Sequence, residues 1–156
     1  MTHPIATPEE FYAHALAIER EAAERYAEFA DLFEKRSTTL AALCRRLATL
    51  EREHFRDLAE ACARLELPEI AAADYRWHEQ DSPEVNSRET LGSITNSRQL
   101  LEVALAAEKR AHSFFVWTAR TAPNRAIREL ASVMAAEEDE HIAWVTEALR
   151  GYITRE

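Results

Sequence analysis

The chain of 156 residues is 47% hydrophobic and 30% charged, which fits a single domain with a sizeable core and a well-hydrated surface. It has only two glycines and five prolines, and therefore little of the turn chemistry that sheets need, while its many Ala, Leu, Glu and Arg residues favour an all-α fold. The formal net charge of −9 argues against nucleic acid and against an anionic membrane as partners, because either would require a basic face.

The first predicted helix covers about residues 8–36. Thr7 suits the N-terminal cap and Pro8 the first helical position. A mainly apolar stripe then recurs at steps of three and four residues, and the carboxylate of Glu19 interrupts it. The members of this stripe are Tyr12, Ala15, Glu19, Ala22, Tyr26, Phe29 and Phe33.

The second predicted helix covers about residues 38–66, beginning after Ser37. Pro68 prevents it from continuing further, because proline lacks the backbone N–H that a helix needs. Its leucine-rich stripe is interrupted by Glu51 and His54. Polar residues again lie where a bundle would bury apolar ones.

The segment of residues 68–96 has a different composition. It contains two prolines, Gly92 and several serines and asparagines, without a sustained helical period. It is too long for a tight turn between neighbouring helices. We therefore expect a long crossover along the bundle, joining two antiparallel helical hairpins.

Two further helices are predicted over about residues 97–121 and 123–150. Glu108 lies on the apolar stripe of the former, and Glu138 and His141 lie on the stripe of the latter. Four helices in two hairpins correspond to an all-α four-helix bundle.

The two halves of the sequence resemble each other. Residues 15–22 align with residues 104–111, which pairs Glu19 with Glu108. The Glu-x-x-His motif of the second helix likewise recurs in the fourth. The two hairpins are therefore expected to be related by a pseudo-two-fold axis.

Four glutamates and two histidines thus interrupt stripes that a bundle would bury. Carboxylates buried without partners cost several kcal/mol each, so they must be neutralised. Two divalent cations carry enough positive charge for four carboxylates, and residues three apart on a helix can converge on one ion. The sequence therefore predicts a two-metal site with the ligands Glu19, Glu51, His54, Glu108, Glu138 and His141.

This ligand pattern resembles that of the ferritin-like di-iron carboxylate proteins, and most of all the rubrerythrin type, over about residues 8–150. The resemblance implies a ferritin-like four-helix bundle. It also implies that Glu19 and Glu108 each bind as lone ligands from their helices, that Glu51 and Glu138 bridge the ions, and that each histidine caps one iron.

The same resemblance draws attention to Tyr26, which follows the first ligand by two helical turns and is a candidate hydrogen-bond or electron partner in catalysis. Two features differ from rubrerythrins proper. The residues one turn from Glu108 include no extra carboxylate, and the chain has no Cys-x-x-Cys motif for a rubredoxin-type iron site. His112, one turn from Glu108, is either an additional ligand or an ordinary half-buried histidine.

The resemblance implies a non-haem di-iron oxidoreductase with two iron ions as cofactor, manganese or zinc being the other metals considered. Its oxidant would be O2 or hydrogen peroxide, its electron donor is not identified, and its reaction would be peroxide reduction or ferrous iron oxidation. Two alternatives stay open at this point. One is a non-catalytic bundle that holds or carries metal, and the other is a scaffold whose polar residues only specify the packing register of the helices.

Location and assembly are also expected from the sequence. No basic segment followed by a long apolar run precedes the first helix, and no stretch is apolar enough to span a membrane, so we expect a cytoplasmic protein. Trp77, Trp117 and Trp144 leave apolar surface at or beyond the stripe edges. Rubrerythrin-type proteins commonly pair through such surfaces, which implies a homodimer.

Overall fold

A computed structural model of the protein describes residues 3–70 and 96–153, and within these ranges the regular structure is entirely helical. The four helices are α1 (Pro8–Phe33), α2 (Thr38–Ala61), α3 (Ser97–Thr121) and α4 (Arg125–Ile153). Most of the predicted crossover, residues 68–96, lies outside the described ranges, as does Trp77 on it.

Polar side chains fix the helix starts. The Thr7 hydroxyl accepts a hydrogen bond from the backbone N–H of Glu10 at 3.1 Å, as the sequence predicts for this cap. Ser37 and Asn96 cap α2 and α3 in the same way. Asn124 accepts a hydrogen bond from the backbone N–H of Ala126 at 2.9 Å, and α4 accordingly begins at Arg125 instead of residue 123. The same helix continues to Ile153 instead of ending at residue 150.

Two helix ends precede the positions that the sequence pattern suggested. α1 ends at Phe33 instead of residue 36, because the carbonyl of Phe33 accepts hydrogen bonds from the N–H groups of Arg36 and Ser37 and closes a turn. α2 ends at Ala61 instead of residue 66, where Cys62 leaves helical geometry with φ −109 and ψ 15. Pro68 therefore marks only the latest point at which α2 could have ended.

The helices pair as two hairpins. α1 packs along α2, α3 packs along α4, and α1 also contacts α3 across the bundle. The short connections from Phe33 to Thr38 and from Thr121 to Arg125 make each pair antiparallel. The result is the all-α four-helix bundle that the sequence predicts.

The core contains two apolar clusters, one toward each end of the bundle. The Phe115 cluster contains Ile5, Phe11, Ile18, Leu58, Phe114, Phe115, Ile127 and Met134 among its members. The Phe29 cluster contains Tyr26, Phe29, Phe33, Leu40, Leu47, Leu100, Leu101 and Val145 among its members.

Every helix passes from one cluster to the other through a polar layer. On α1 the Phe115 cluster extends to Ile18 and the Phe29 cluster resumes further along the helix, with Glu19 between them. On α4, Glu138 and His141 separate the two clusters in the same way. The two apolar clusters thus lie on either side of a polar layer halfway along the bundle, and they cover this layer at both ends.

The surface of the described helices bears on the expectations that the protein has no membrane span and that it forms a homodimer. None of these helices is both long and apolar enough to cross a membrane. Trp117 and Trp144 are partly buried against the two clusters, and the large apolar side chains exposed in the described ranges are Leu32 and Val133. The homodimer stays a prediction.

Candidate metal centre

All six predicted ligands lie in the polar layer. Helices α1 and α3 each supply one glutamate, and α2 and α4 each supply a Glu-x-x-His pair. The four carboxylates are deeply buried, with exposed fractions between 0% and 2% for Glu19, Glu51, Glu108 and Glu138. Such burial is exceptional for ionisable groups and requires compensation by hydrogen bonds, opposite charge or metal.

The six side chains form two groups, within each of which the candidate ligand atoms lie within 4.8 Å of one another. The sealed half consists of Glu51, Glu108, Glu138 and His141. The open half consists of Glu19, Glu51 and His54. Glu51 belongs to both halves and is therefore the bridge between them.

The sealed half is centred on His141. Its Nδ1 lies 2.9 Å from Oε1 of Glu51, 3.7 Å from Oε2 of Glu108 and 3.9 Å from Oε2 of Glu138. The side chain of His141 is only 3% exposed, and its ring stacks on the indole of Trp144 with centroids 5.8 Å apart. Donor atoms from three helices thus converge in a space shielded from solvent.

The open half is centred on His54. Its Nδ1 lies 3.8 Å from Oε2 of both Glu19 and Glu51, and 3.7 Å from Oε2 of Glu137. The His54 side chain is 21% exposed and that of Glu137 is 38% exposed. The rings of His54 and His141 stack with centroids 5.8 Å apart, so the two halves are adjacent.

Tyr26 connects the sealed half to the Phe29 cluster. Its buried hydroxyl donates a hydrogen bond to Oε1 of Glu108. Burial raises the pKa of Tyr26 well above its usual range, and the carboxylate of Glu108 adds to this effect. Tyr26 therefore stays a neutral donor that orients Glu108, and leaves Oε2 of that carboxylate facing His141.

The pKa values of the buried carboxyl groups indicate how they can lie close together in the polar layer. Burial raises the pKa of Glu19 and of Glu138 well above the usual range for a carboxyl group. Burial alone would also raise the pKa of Glu51, but Glu19 and the two imidazoles beside it outweigh burial and hold the pKa of Glu51 below its usual range. Protons on neighbouring groups thus stabilise the charge of Glu51.

Both histidines bind protons tightly in this setting. Contacts with Glu19 and Glu51 raise the pKa of His54 to about 11. For His141, burial acts to lower the pKa, but contacts with Glu108 and Glu51 overcome it and raise the pKa to about 10. Protons therefore occupy positions between carboxylate and imidazole that metal cations would fill.

Several of the candidate ligand atoms lack a hydrogen bond. Their chemistry therefore indicates whether the polar layer is suited to bind metal. Both carboxylate oxygens of Glu19 and of Glu51, Oε2 of Glu138, and Nδ1 of His54 and of His141 make no hydrogen bond of good geometry among the described residues. The contact of 2.9 Å between Nδ1 of His141 and Oε1 of Glu51 is close but poorly aligned for a hydrogen bond. Unpaired buried polar atoms are costly, whereas carboxylate and imidazole donors that converge in this way match the ligand preferences of iron and zinc. The residues present fit bound metal.

His112 lies outside both halves. Its Nε2 is 3.1 Å from Oδ1 of Asp139, so it pairs on the outer face between α3 and α4. Its side chain is 29% exposed. The structure thus places His112 in a surface contact with Asp139 instead of an additional ligand position.

Sequence reasoning missed Glu137. Glu137 lies next to the ligand Glu138 but off the apolar stripe, so the periodicity of the helix did not identify it as a candidate ligand. Its one sequence signal is its position four residues before His141, which places both on neighbouring parts of one helix face. The contact with His54 depends on how α2 and α4 pack together, which the pattern of a single helix does not contain.

Comparison with known proteins agrees with this geometry. No functionally curated protein matches the sequence. The chain is similar to a solved structure of an uncharacterized conserved protein from Magnetospirillum magnetotacticum MS-1, with 31% identity and a TM-score of 0.78 over 93% of this chain and 95% of that one. The sequence model of the Rubrerythrin family matches residues 10–90. The chain therefore belongs to the rubrerythrin family, and its ferritin-like bundle encloses a buried carboxylate and histidine cluster of the kind that binds iron.

Proposed function

We propose that the protein is a di-iron carboxylate oxidoreductase that reacts with O2 or hydrogen peroxide. The observation that carries this proposal is the set of buried carboxylate and imidazole atoms without a hydrogen bond of good geometry, which converge from α1, α2 and α4. Glu108 of α3, which accepts a hydrogen bond from Tyr26, completes the cluster. A structural role would favour satisfied hydrogen bonds, because each unsatisfied buried group costs about 1 to 3 kcal/mol.

Each half of the layer would hold one ion. The sealed half offers four side chains and the open half three, with Glu51 shared between them. The family resemblance makes both Glu51 and Glu138 bridging carboxylates, whereas in the structure Glu51 faces both histidines and Glu138 faces His141. The strongest assignment is therefore Glu51 as the bridge.

A pair of iron ions cycling between the ferrous and ferric states can supply two electrons to O2 or to hydrogen peroxide. The protein residues provide the surroundings for this chemistry. The two apolar clusters cover the layer at both ends, the sealed half is shielded from solvent, and Tyr26 orients Glu108 by its hydrogen bond. An external electron donor must restore the reduced state after each turnover.

The test begins with elemental analysis of protein expressed in iron-replete cells, with Glu51→Ala as control. We expect about two iron ions per chain in the natural sequence and close to none in the variant. The reduced, iron-loaded protein is then mixed with hydrogen peroxide or with O2 in a stopped-flow instrument. We expect oxidation faster than that of the same concentration of free ferrous ion in the same buffer.

The possible results separate the alternatives. Bound metal without accelerated oxidation would indicate the non-catalytic role of holding or carrying metal. Absence of bound metal after gentle purification would indicate that the six residues act only in helix packing. Which oxidant reacts faster would then distinguish peroxide reduction from ferrous iron oxidation by O2.

A further inference from the structure

The open half of the layer faces a groove between α2 and α4. The groove has a volume of about 180 Å³ and is walled by apolar side chains that include Leu58, Leu130 and Met134. The titratable side chains on its lining are those of Tyr12, His54, Asp57 and Glu137. The groove therefore joins the surface of the bundle to the imidazole of the open half.

The sealed half has no comparable approach among the described residues. The space beside Glu108 and Glu138 has a volume of only about 20 Å³, which is room for about one water molecule. The charged side chains of Glu21, Arg25 and Arg110 also line it. A hydrated divalent cation is too large for this slit.

Glu137 lies where the groove meets the open half. Its Oε2 is 3.7 Å from Nδ1 of His54, the same nitrogen that faces Glu19 and Glu51 from inside the layer at 3.8 Å. The Glu137 side chain is 38% exposed, whereas Glu19 is 1% exposed. The solvent exposure of the carboxylates around this nitrogen thus decreases from the partly exposed Glu137 to the fully buried Glu19.

A second observation indicates that a cation belongs beside Glu19, which lies at the buried end of this range of exposure. Glu19 is 99% buried by the same measure, and neither of its carboxylate oxygens has a hydrogen-bond partner in the described structure. Its Oε2 is directed to the histidine nitrogen that Glu137 also faces. The three side chains together form a path of oxygen and nitrogen donors from groove to core.

We propose that Glu137 is a further metal-binding residue, which takes a hydrated divalent cation from the groove and passes it to His54, Glu19 and Glu51. This proposal rests on the metal centre proposed above. A divalent cation gives up its water ligands in steps, and a half-exposed carboxylate replaces some of them before the ion reaches the buried donors. Glu137 also raises the count of donor residues around the open half from three to four, equal to the sealed half.

The same geometry sets the order of filling. The groove beside His54 has room for a hydrated cation and the slit beside the sealed half does not, so in this proposal both ions pass Glu137 and His54. The first ion then continues to the four donors of the sealed half, and the second stays in the open half. Glu137 therefore affects the rate at which both ions bind.

Cobalt(II) is a suitable probe, because its visible absorption reports coordination by protein ligands without any turnover. The metal-stripped full-length protein is mixed with cobalt(II) in a stopped-flow instrument, and the final stoichiometry is measured by titration. The test variant is Glu137→Gln, which keeps size and removes charge. The matched control is Glu140→Gln, an exposed glutamate on the same helix that does not line the groove.

We expect the natural sequence and both variants to bind about two cobalt ions per chain. Glu137→Gln should bind them about tenfold more slowly or worse, within the range that charges in a cleft contribute to association rates, and Glu140→Gln should stay within about twofold. Equal rates for Glu137→Gln and the natural sequence, with two ions bound by each, would overturn the role of Glu137 and leave the metal centre intact. Failure of the natural sequence to bind cobalt would contradict the metal centre itself.

Discussion

The sealed and open halves of the polar layer come from one repeated sequence pattern, yet they differ in how far their donors are exposed to solvent. His141 is 3% exposed and has three buried carboxylates around it, while His54 is 21% exposed and one of its three carboxylates, Glu137, is half-exposed. Trp144 covers the ring of His141, and a groove reaches the ring of His54. Internal repetition therefore supplies matching ligands, and the side chains around them give the two positions different access.

This difference has a consequence for chemistry. A position that is fully enclosed holds its ion tightly but exchanges it slowly, whereas a position beside a groove exchanges ions and admits small molecules. One bundle can thus combine a retained ion with an accessible one. Substitutions at the ligands, beginning with the residue that both halves share, can separate the two ions.

The largest effect is expected for Glu51→Ala. Glu51 contributes one oxygen toward His141 and the other toward His54, so its loss removes a ligand from both halves at once. We expect metal content to fall from about two ions per chain to close to none. Glu53→Ala, on the exposed face of the same helix, is the matched control and should keep both ions. Retention of two ions by Glu51→Ala, measured by elemental analysis, would refute the shared-ligand assignment.

The assignment of Glu51 also illustrates how much the sequence could provide. Three- and four-residue periodicity placed the six candidate ligands on buried stripes, and the repeat paired them, so the composition of the layer was predictable. The N-terminal cap at Thr7 was predictable too, because a side-chain hydroxyl before Pro8 has a direct local cause.

Other features depend on packing between helices and could not be predicted. The exposure of His54 compared with His141 follows from which neighbours cover each ring, and Trp144 is one of them. The contact of Glu137 with His54 requires the relative position of α2 and α4. α2 ends early, at Ala61, although no proline or glycine lies beside that position to predict it. The turn that ends the helix is made by Cys62 and the residues after it.

Substituting the two histidines separately should distinguish the halves. His141→Ala leaves Glu51 without its partner at 2.9 Å in a buried site, and breaking a buried ion pair costs about 3 kcal/mol or more. His54→Ala affects a partly exposed side chain, and we expect a loss of about 1 kcal/mol. Denaturant unfolding of the metal-free variants measures both.

Metal binding by these two variants gives an independent readout. Each should keep about one ion per chain, and the ion kept by His54→Ala should dissociate more slowly, because it lies in the enclosed half. Chelator competition measures the dissociation rates. Equal unfolding losses together with equal dissociation rates would show that the difference in exposure has no energetic effect.

Tyr26→Phe should alter the sealed half alone. The substitution removes the hydroxyl that donates to Glu108 and leaves Oε1 of this buried carboxylate without that donor. Hydrogen bonds to charged groups contribute about 1.5 to 3 kcal/mol, so we expect a loss of stability of that order in the metal-free protein. The ion in the sealed half should bind several-fold more weakly, while the ion in the open half should be unaffected. Isothermal titration with cobalt(II) should resolve the two, and Tyr12→Phe, at the groove, is the control.

The most gradual effect is expected from pH. The folded-state pKa values of His54 and His141, about 11 and about 10, exceed the ordinary value of 6.5, so the folded protein binds more protons than the unfolded chain between these limits. Stability of the metal-free protein should therefore be greatest below about pH 6.5 with respect to these groups and should fall as pH rises toward about 10. The raised pKa values of Glu19 and Glu138 act in the same direction, beginning above the ordinary carboxyl value of 4.5.

Metal should reverse this trend. Metal ions replace the protons on His54 and His141, so binding releases protons and tightens as pH rises. Denaturant unfolding between pH 6.5 and 9.5 should then show falling stability for the stripped protein, and steady or rising stability for the loaded protein at a fixed free metal concentration. The lowered pKa of Glu51 acts only under acid conditions, where stability is lost as pH falls through its folded-state value. If the stripped and loaded proteins show parallel pH curves, the ions do not occupy the positions that protons hold between these imidazoles and carboxylates.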